Sequence, residues 1–288
     1  MTVGERLRFA LIGAGRIAGT YAAAFERIDL LVPAAVVDPC REAAVALARR
    51  LRCPAFSSTA EMLAQCKVDA AVVCTLPVTH PAVTLELLSA GKHVLCEKPL
   101  SIDVADARAM IEAACARGVC FTMASKFRYV PDVLRAKEIV DAGEIGEIAL
   151  FENAFTGCVD MRHRWNADLR VSGGGVLIDN GTHAVDLMRY FLGPIVDLRV
   201  IEGKRLQGLP VEETVSIHLR SAEGVLGSID LSWSIDKHLE HYLTIYGTKG
   251  TLRIGWQGSK RWRNGEGGWE PFGTGYDKIE AFTRQIEN

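Results

Sequence analysis

The chain has 288 residues, with 33 Lys+Arg against 35 Asp+Glu and a formal net charge of −2. Without a cationic excess, nothing favours a phosphate backbone or an anionic lipid surface, so neither a nucleic-acid nor a membrane partner is expected. Apolar residues at 49 % and charged residues at 24 % exclude a disordered chain.

No apolar run reaches the ~18 residues of a membrane span, and the charged stretch Met1 to Arg8 carries no secretory signal. The eight cysteines form no Cys-x-x-Cys pair and have no histidine at zinc-finger spacing. No metal site is expected, and reduced thiols in the cytoplasm are.

Two hydrophobic periods alternate over the first ~125 residues. Leu7 to Ile12 reads as a strand and Arg16 to Arg27 as a helix. Pro33 to Asp38 follows as a strand, Arg41 to Leu51 as a helix, Ala70 to Cys74 as a buried strand and Pro81 to Ala90 as a helix. His93 to Cys96, Val104 to Arg117 and Val119 to Met123 complete the series as strand, helix and strand. Continuous apolar strands separated by helices predict an α/β fold, a Rossmann-type doubly wound parallel sheet.

After a helix at Pro131 to Ala142 the pattern changes. Strands are predicted at Glu147 to Phe155, Val211 to Arg220, Gly224 to Ile235, His241 to Gly247 and Gly250 to Trp256, with one strong helix from about Gly181 to Leu192. Short glycine turns between such strands predict an α+β domain with a large, mainly antiparallel sheet. The expected domains are 1–125 and 126–288, and an open, partly apolar sheet face in the second predicts a homo-oligomer.

Gly13-Ala14-Gly15-Arg16-Ile17-Ala18-Gly19 lies between a strand and a helix. The first glycine permits a tight turn, the second lets backbone approach a pyrophosphate, and Ala18 allows close helix–strand packing. Gly13, Gly15, Arg16 and Ile17 are therefore candidate cofactor contacts at a helix N-terminus. Asp38 ends the second strand, where a carboxylate accepts both adenosine ribose hydroxyls and repels a 2′-phosphate. NAD is expected rather than NADP, although Arg41 offsets part of that repulsion.

Two further motifs bear on chemistry: Gly91-Lys-His-Val-Leu-Cys-Glu97-Lys98-Pro99 and Gly173-Gly-Gly-Val-Leu-Ile-Asp179-Asn180-Gly-Thr-His183. Alcohol oxidation removes a hydroxyl proton as hydride leaves the same carbon. Asp179 and His183 are spaced to share one helix face, and an imidazole exchanges protons near neutrality. Lys98, at the carboxyl end of a strand, can stabilise a developing alkoxide. A cis bond before Pro99 is compatible with this sequence.

With the N-terminal fingerprint, these motifs resemble the family of glucose-fructose oxidoreductase and inositol dehydrogenase (Gfo/Idh/MocA) through essentially the whole chain. The resemblance implies an NAD-dependent dehydrogenase acting on a CH–OH group of a sugar, polyol or sugar nucleotide. It matches Lys98, Asp179 and His183 to the family's catalytic group and Glu97 to its Glu-Lys-Pro motif. It also implies cofactor contacts at Thr75, Pro77, His80, Glu97 and Lys98, with Pro77 standing where the family usually has Asn, and His80 read as a cap of the following helix. Substrate contacts are implied at Lys126, Arg128, Arg164, Trp165 and Asn180; the alternative for Lys126 and Arg128 is a structural salt bridge, and for Arg164-Trp165 a surface loop.

Tyr21 occupies a position where many relatives carry His. Relatives generally continue beyond Asn288, so a truncated or unusually short member is expected. Two rival activities share the motifs: a non-catalytic nucleotide-sensing regulator, and an NAD-dependent glycoside hydrolase working through transient oxidation.

Overall fold

The computed structural model describes residues 6–265 and 267–288. Residues 1–5 of the charged N-terminal stretch lie outside them. The chain divides into two units, the first comprising Met1–Ala124 with Phe282–Asn288 and the second Ser125–Ala281. The last seven residues thus group with the first unit, not with the second.

In the first unit the elements are β1 (Leu7–Ile12), α1 (Arg16–Phe25), β2 (Leu31–Val37), α2 (Arg41–Leu51), β3 (Ala55–Phe56), α3 (Thr59–Gln65), β4 (Ala70–Val73), α4 (His80–Ser89), β5 (His93–Cys96), α5 (Val104–Arg117) and β6 (Phe121–Met123). All strand pairs are parallel, in the order β3-β2-β1-β4-β5-β6. This is the dinucleotide-binding order, with its switch point at β1, where ligands sit outside the carboxyl ends of strands. Alternate residues of β1 feed two cores: Phe9 and Leu11 join Val36, Val72 and Phe282, whereas Ala10 and Ile12 join Val73, Val94 and Met110. Burial on both faces explains the uninterrupted apolar strands. Ser58 accepts from the Glu61 N–H and Asp103 from the Ala105 N–H, so α3 and α5 start on side-chain caps. The short β3 and α3 had no periodic signature in the sequence.

The second unit holds α6 (Pro131–Asp141), β7 (Ile148–Thr156), α7 (Leu169–Ser172), α8 (Val176–Leu192) and β8 (Ile195–Glu202). Then follow β9 (Thr214–Ser221), β10 (Leu226–Ser232), β11 (His241–Gly247), β12 (Gly250–Gly255), β13 (Ser259–Arg263), β14 (Glu270–Gly273) and α9 (Lys278–Glu287), which runs into the first unit's segment. The sheet order is β14-β13-β12-β11-β7-β10-β9-β8, antiparallel except for β7 with β10. Helix α8 packs on β7, β9 and β10, burying Ala184, Leu187 and Met188 against Phe151, Ile217 and Ile229.

Two expectations need correction here. Helix α8 begins at Val176, over one turn before Gly181, so Asp179 lies inside it. The open sheet face is partly apolar, with Leu150, Ala154 and Leu226 alongside Glu152, Ser216, His218, Ser228 and Asp230 on strands that bury the alternate residues. Strands β8, β13 and β14 also went unread, because their residues do not alternate between buried and exposed. Among the described residues no helix is long and apolar enough to cross a membrane.

Candidate active site

In the first unit the candidate residues line the carboxyl ends of β1, β2, β4 and β5. Gly13 has φ +98°, and a Cβ there would lie 2.8 Å from the Cys74 carbonyl oxygen, so only glycine fits. Around Gly15 a Cβ would meet nothing within 4 Å, leaving the open approach a bound group needs. Gly15 is also the N-cap of α1, and no side chain caps the helix, so the first N–H groups, at Arg16 and Ile17, face outward. The Asp38 carboxylate accepts from the Ala14 N–H at 2.7 Å and the Cys40 N–H at 2.8 Å. It therefore pins the glycine turn while each oxygen keeps acceptor capacity for a ribose hydroxyl. The residues present fit a dinucleotide.

The loop after β4 differs from expectation. Thr75 is half-buried and its hydroxyl accepts from Thr79 at 2.8 Å, but Pro77 is buried in a single 3-10 turn. His80 is only 1 % exposed and does not cap α4, which begins at His80 itself. Its Nδ1 lies 2.8 Å from the Pro99 oxygen and Nε2 3.1 Å from the Thr75 oxygen. Burial lowers its pKa against the opposing pull of those carbonyls, so the ring is a neutral brace. Pro77 and His80 thus pack within the loop, His80 linking the Thr75 and Pro99 backbones.

Glu97 and Lys98 follow β5, and the Lys98–Pro99 bond is cis. The buried Glu97 carboxylate accepts from the Tyr21 hydroxyl at 2.9 Å and from the Lys98 N–H at 3.0 Å. Gln285 of α9 donates to the same Tyr21 oxygen at 3.2 Å. Burial, reinforced by the Glu97 charge, pushes the Tyr21 phenol well above its ordinary pKa, so it remains a donor. Glu97 thus holds the backbone of Lys98 from beneath. Burial likewise pushes the Cys96 thiol up to about 12 and raises that of Cys74, which makes both inert packing residues.

In the second unit the triple glycine ends in an unusual helix start. Gly173, at φ +78°, closes α7. Glu212 Oε1 then accepts from Gly175 N (2.7 Å) and Leu177 N (3.1 Å), while the Glu212 carbonyl accepts from Val176 N (2.9 Å). A side chain at Gly175 would collide with that carbonyl. One residue thereby caps α8 and places a negative charge at its N-terminus. Asp179 and Asn180 follow in the first turns, and His183 lies one turn beyond Asp179 on the same face.

The buried His183 ring meets Phe127 edge-on, with centroids 5.0 Å apart. Phe127 also stacks on Tyr276 at 5.2 Å, and Lys126 Nζ lies 4.8 Å over the Phe127 ring. Lys126 and His183 are thus brought to one aromatic platform. Arg128 instead makes a two-pronged ion pair with Asp186 (2.6 and 3.0 Å) and lies over Tyr190. This is the salt-bridge alternative, and it commits the guanidinium to bracing α8. Arg164 and Trp165 are exposed at a single 3-10 turn, Trp165–Ala167.

Comparison with known proteins accounts for both halves. Residues 7–125 match the oxidoreductase family with an NAD-binding Rossmann fold, and residues 133–253 match the GFO/IDH/MocA C-terminal domain. The chain belongs to the Gfo/Idh/MocA oxidoreductase family. It is 28 % identical over 251 residues to trans-1,2-dihydrobenzene-1,2-diol dehydrogenase of Mus musculus, covering 86 % of this chain and 74 % of the relative. Myo-inositol 2-dehydrogenase of Thermotoga maritima is 28 % identical over 252 residues, covering 85 % and 74 %. The WlbA dehydrogenase of Bordetella pertussis, solved with NADH and UDP-GlcNAcA, superimposes with a TM-score of 0.84 at 27 % identity, covering 93 % of this chain and 80 % of that one.

Several residues of this Gfo/Idh/MocA chain that shape its candidate site were missed in the sequence. Glu212, Gln285 and Phe127 act through contacts 35 to 264 residues away, which no local period encodes. Tyr21 stood out as a departure from the family pattern, and that was the one available signal. Buried Asp132 accepts from Ser259, Thr274 N and Gly275 N, fixing the segment that leads to Tyr276.

Proposed function

We propose that this protein is an NAD-dependent dehydrogenase that transfers hydride between a CH–OH group of a sugar, polyol or sugar nucleotide and nicotinamide. The Gly13 turn tied to Asp38 carries the reading, because it combines a bare helix N-terminus with a ribose-type acceptor at the switch point of the sheet. The dehydrogenases and the NADH complex among its relatives support the same chemistry. Gly13, Gly15, Arg16 and Ile17 would hold the pyrophosphate and Asp38 the adenosine ribose. Thr75, Glu97 and Lys98 border the same strand ends. The nicotinamide, when bound, supplies the hydride acceptor.

The chain's own work is proton transfer and charge stabilisation. His183 takes the hydroxyl proton, Asp179 supports the imidazolium, and the Lys98 ammonium stabilises the oxygen as negative charge develops. Lys126, Asn180, Arg164 and Trp165 are assigned to substrate binding, and Arg128 to supporting α8. The first unit is the nucleotide domain; the second carries substrate contacts and self-association. All eight cysteines are unpaired, which suits a cytoplasmic enzyme.

Titration with NADH and NADPH, followed by quenching of tryptophan fluorescence, tests the cofactor half. NADH is expected to bind more tightly, and Asp38→Ala to narrow the gap. Equal affinity for the two would overturn the role of Asp38, and binding of neither would overturn the cofactor reading.

A further inference from the structure

Three loops of the second unit leave its sheet at one end. Thr156 of β7 stands beside Ser232 of β10, and Ser232 faces Thr214 of β9, so the segments 157–168, 203–213 and 233–240 begin or finish together. The first carries Arg164 and Trp165 and runs through α7 into the glycines that open α8. Beyond the strand ends no ladder serves these chains, and their backbone groups need other partners.

Gln207 supplies them. Its Oε1 accepts from the Met161 N–H at 2.9 Å, and its Nε2 donates to the Val159 carbonyl at 3.0 Å. The same Nε2 lies 3.2 Å from the Ser234 hydroxyl and 3.3 Å from the Trp233 carbonyl. One side-chain amide thus joins all three loops, with its donor and acceptor ends both used. The backbone of Gln207 is pinned in turn by Glu213, a wholly buried carboxylate. Glu213 accepts from Gln207 N at 2.7 Å, Leu209 N at 3.1 Å and the Ser234 hydroxyl at 2.8 Å. Its neighbour Glu212 caps α8 through Gly175 N and Leu177 N.

We propose, resting on the dehydrogenase reading above, that Gln207 is a positioning residue that fixes the substrate loop 159–165 at a set spacing from the helix carrying Asp179 and His183. The segment 207–213 grips the loop at one end and α8 at the other, so this part of the site is formed before substrate arrives. Only an amide fits at 207. A carboxylate there would face the Val159 and Trp233 carbonyls and the Glu213 charge, and an apolar side chain would leave Met161 N and Val159 O without partners. The Met161 and Ala167 side chains are buried in the core. They keep the loop attached when the amide is lost, while its backbone loses the lock.

The test compares Gln207→Met and Gln207→Glu with Ser234→Ala, using NAD and a panel of polyols, sugars and nucleotide sugars. Both substitutions at 207 should raise KM for the alcohol about tenfold or more while kcat falls no more than about threefold, because the cap that holds α8 is untouched. NADH affinity, set in the first unit, should not move. Tryptic cleavage after Arg162 and Arg164 of the native enzyme, mapped by mass spectrometry, should quicken about tenfold as the loop opens. Ser234→Ala keeps the Met161 and Val159 bonds; it should lower the melting temperature but leave KM and cleavage near wild type. Thermal melting and NADH titration establish that each variant is folded. A Gln207→Met enzyme that loses kcat and keeps KM, or whose KM rises no more than that of Ser234→Ala, overturns the positioning role. So does unchanged cleavage at Arg162 and Arg164. A wild type that turns over nothing in the panel defeats the dehydrogenase reading and this role with it, whereas turnover with the wrong KM pattern defeats this role alone.

Discussion

Replacing Tyr21 by Phe removes one oxygen from the interior of the first unit, and its consequences can be worked out from the contacts. That hydroxyl donates to Glu97 at 2.9 Å and accepts from Gln285 at 3.2 Å, in surroundings where Tyr21 is fully buried and Glu97 only 9 % exposed. A hydrogen bond to a buried carboxylate contributes about 1.5–3 kcal/mol, and loss of the Gln285 contact adds to the deficit. Gln285 already has a buried oxygen without a partner among the described residues, so losing the Tyr21 contact adds to an unsatisfied amide.

We therefore expect Tyr21→Phe to cost about 2 kcal/mol, which for a unit of this size lowers the melting temperature by roughly 6 °C. Glu97 also holds the Lys98 N–H, so the substitution should lower kcat while NADH affinity, set at Gly13 to Asp38, stays near wild type. Tyr21→His, whose ring N–H can still donate to Glu97, should recover part of kcat. Differential scanning calorimetry and steady-state kinetics provide the readouts. A variant with unchanged melting temperature and kcat would refute the view that this hydroxyl positions Glu97 and Lys98.

Glu212→Ala should destabilise the second unit by about 1–2 kcal/mol, since it leaves Gly175 N and Leu177 N without their acceptor and removes a charge from the start of α8. Thermal melting reads the loss, and kcat should fall because Asp179 lies in that first turn; unchanged values for both would refute the capping role. Burial acts to raise the Glu213 pKa, but the N–H groups of Gln207 and Leu209 and the Ser234 hydroxyl outweigh it and hold the carboxyl below its ordinary range. Its stabilisation is therefore complete above the unfolded value near ~4.3 and is lost as pH falls through the lower native value. The stability difference between wild type and Glu213→Gln should shrink on acidification from pH 7, and a difference constant with pH would contradict this.

Legibility followed range. The Gly13 turn, the Asp38 strand end and the buried strands are local patterns, and each appears close to where periodicity put it. Helix α8 was placed too late because three consecutive glycines read as loop, whereas the acceptors that start the helix come from Glu212, 35 to 37 residues away. Arg128 illustrates the same limit: its type suits a ligand contact, and only the approach of Asp186, 58 positions on, commits it to structure. His80 is the converse case. A histidine beside a cofactor loop invites a functional reading, yet its burial between two carbonyls makes it a brace. Strand β8 escaped notice because an exposed edge has no alternating burial to impose a period.

The central claim is that this chain oxidises an alcohol, with His183 taking the hydroxyl proton and Lys98 stabilising the charge that develops on the oxygen. The most direct test follows absorbance at 340 nm with NAD and a panel of polyols, sugars and nucleotide sugars, using wild type, Lys98→Ala and His183→Ala in parallel. The account predicts sustained NADH formation by wild type with at least one member of the panel, and loss of at least two orders of magnitude in kcat in each variant while NADH still binds. Full turnover in both variants, or NADH binding by wild type without turnover of any alcohol in the panel, would contradict it.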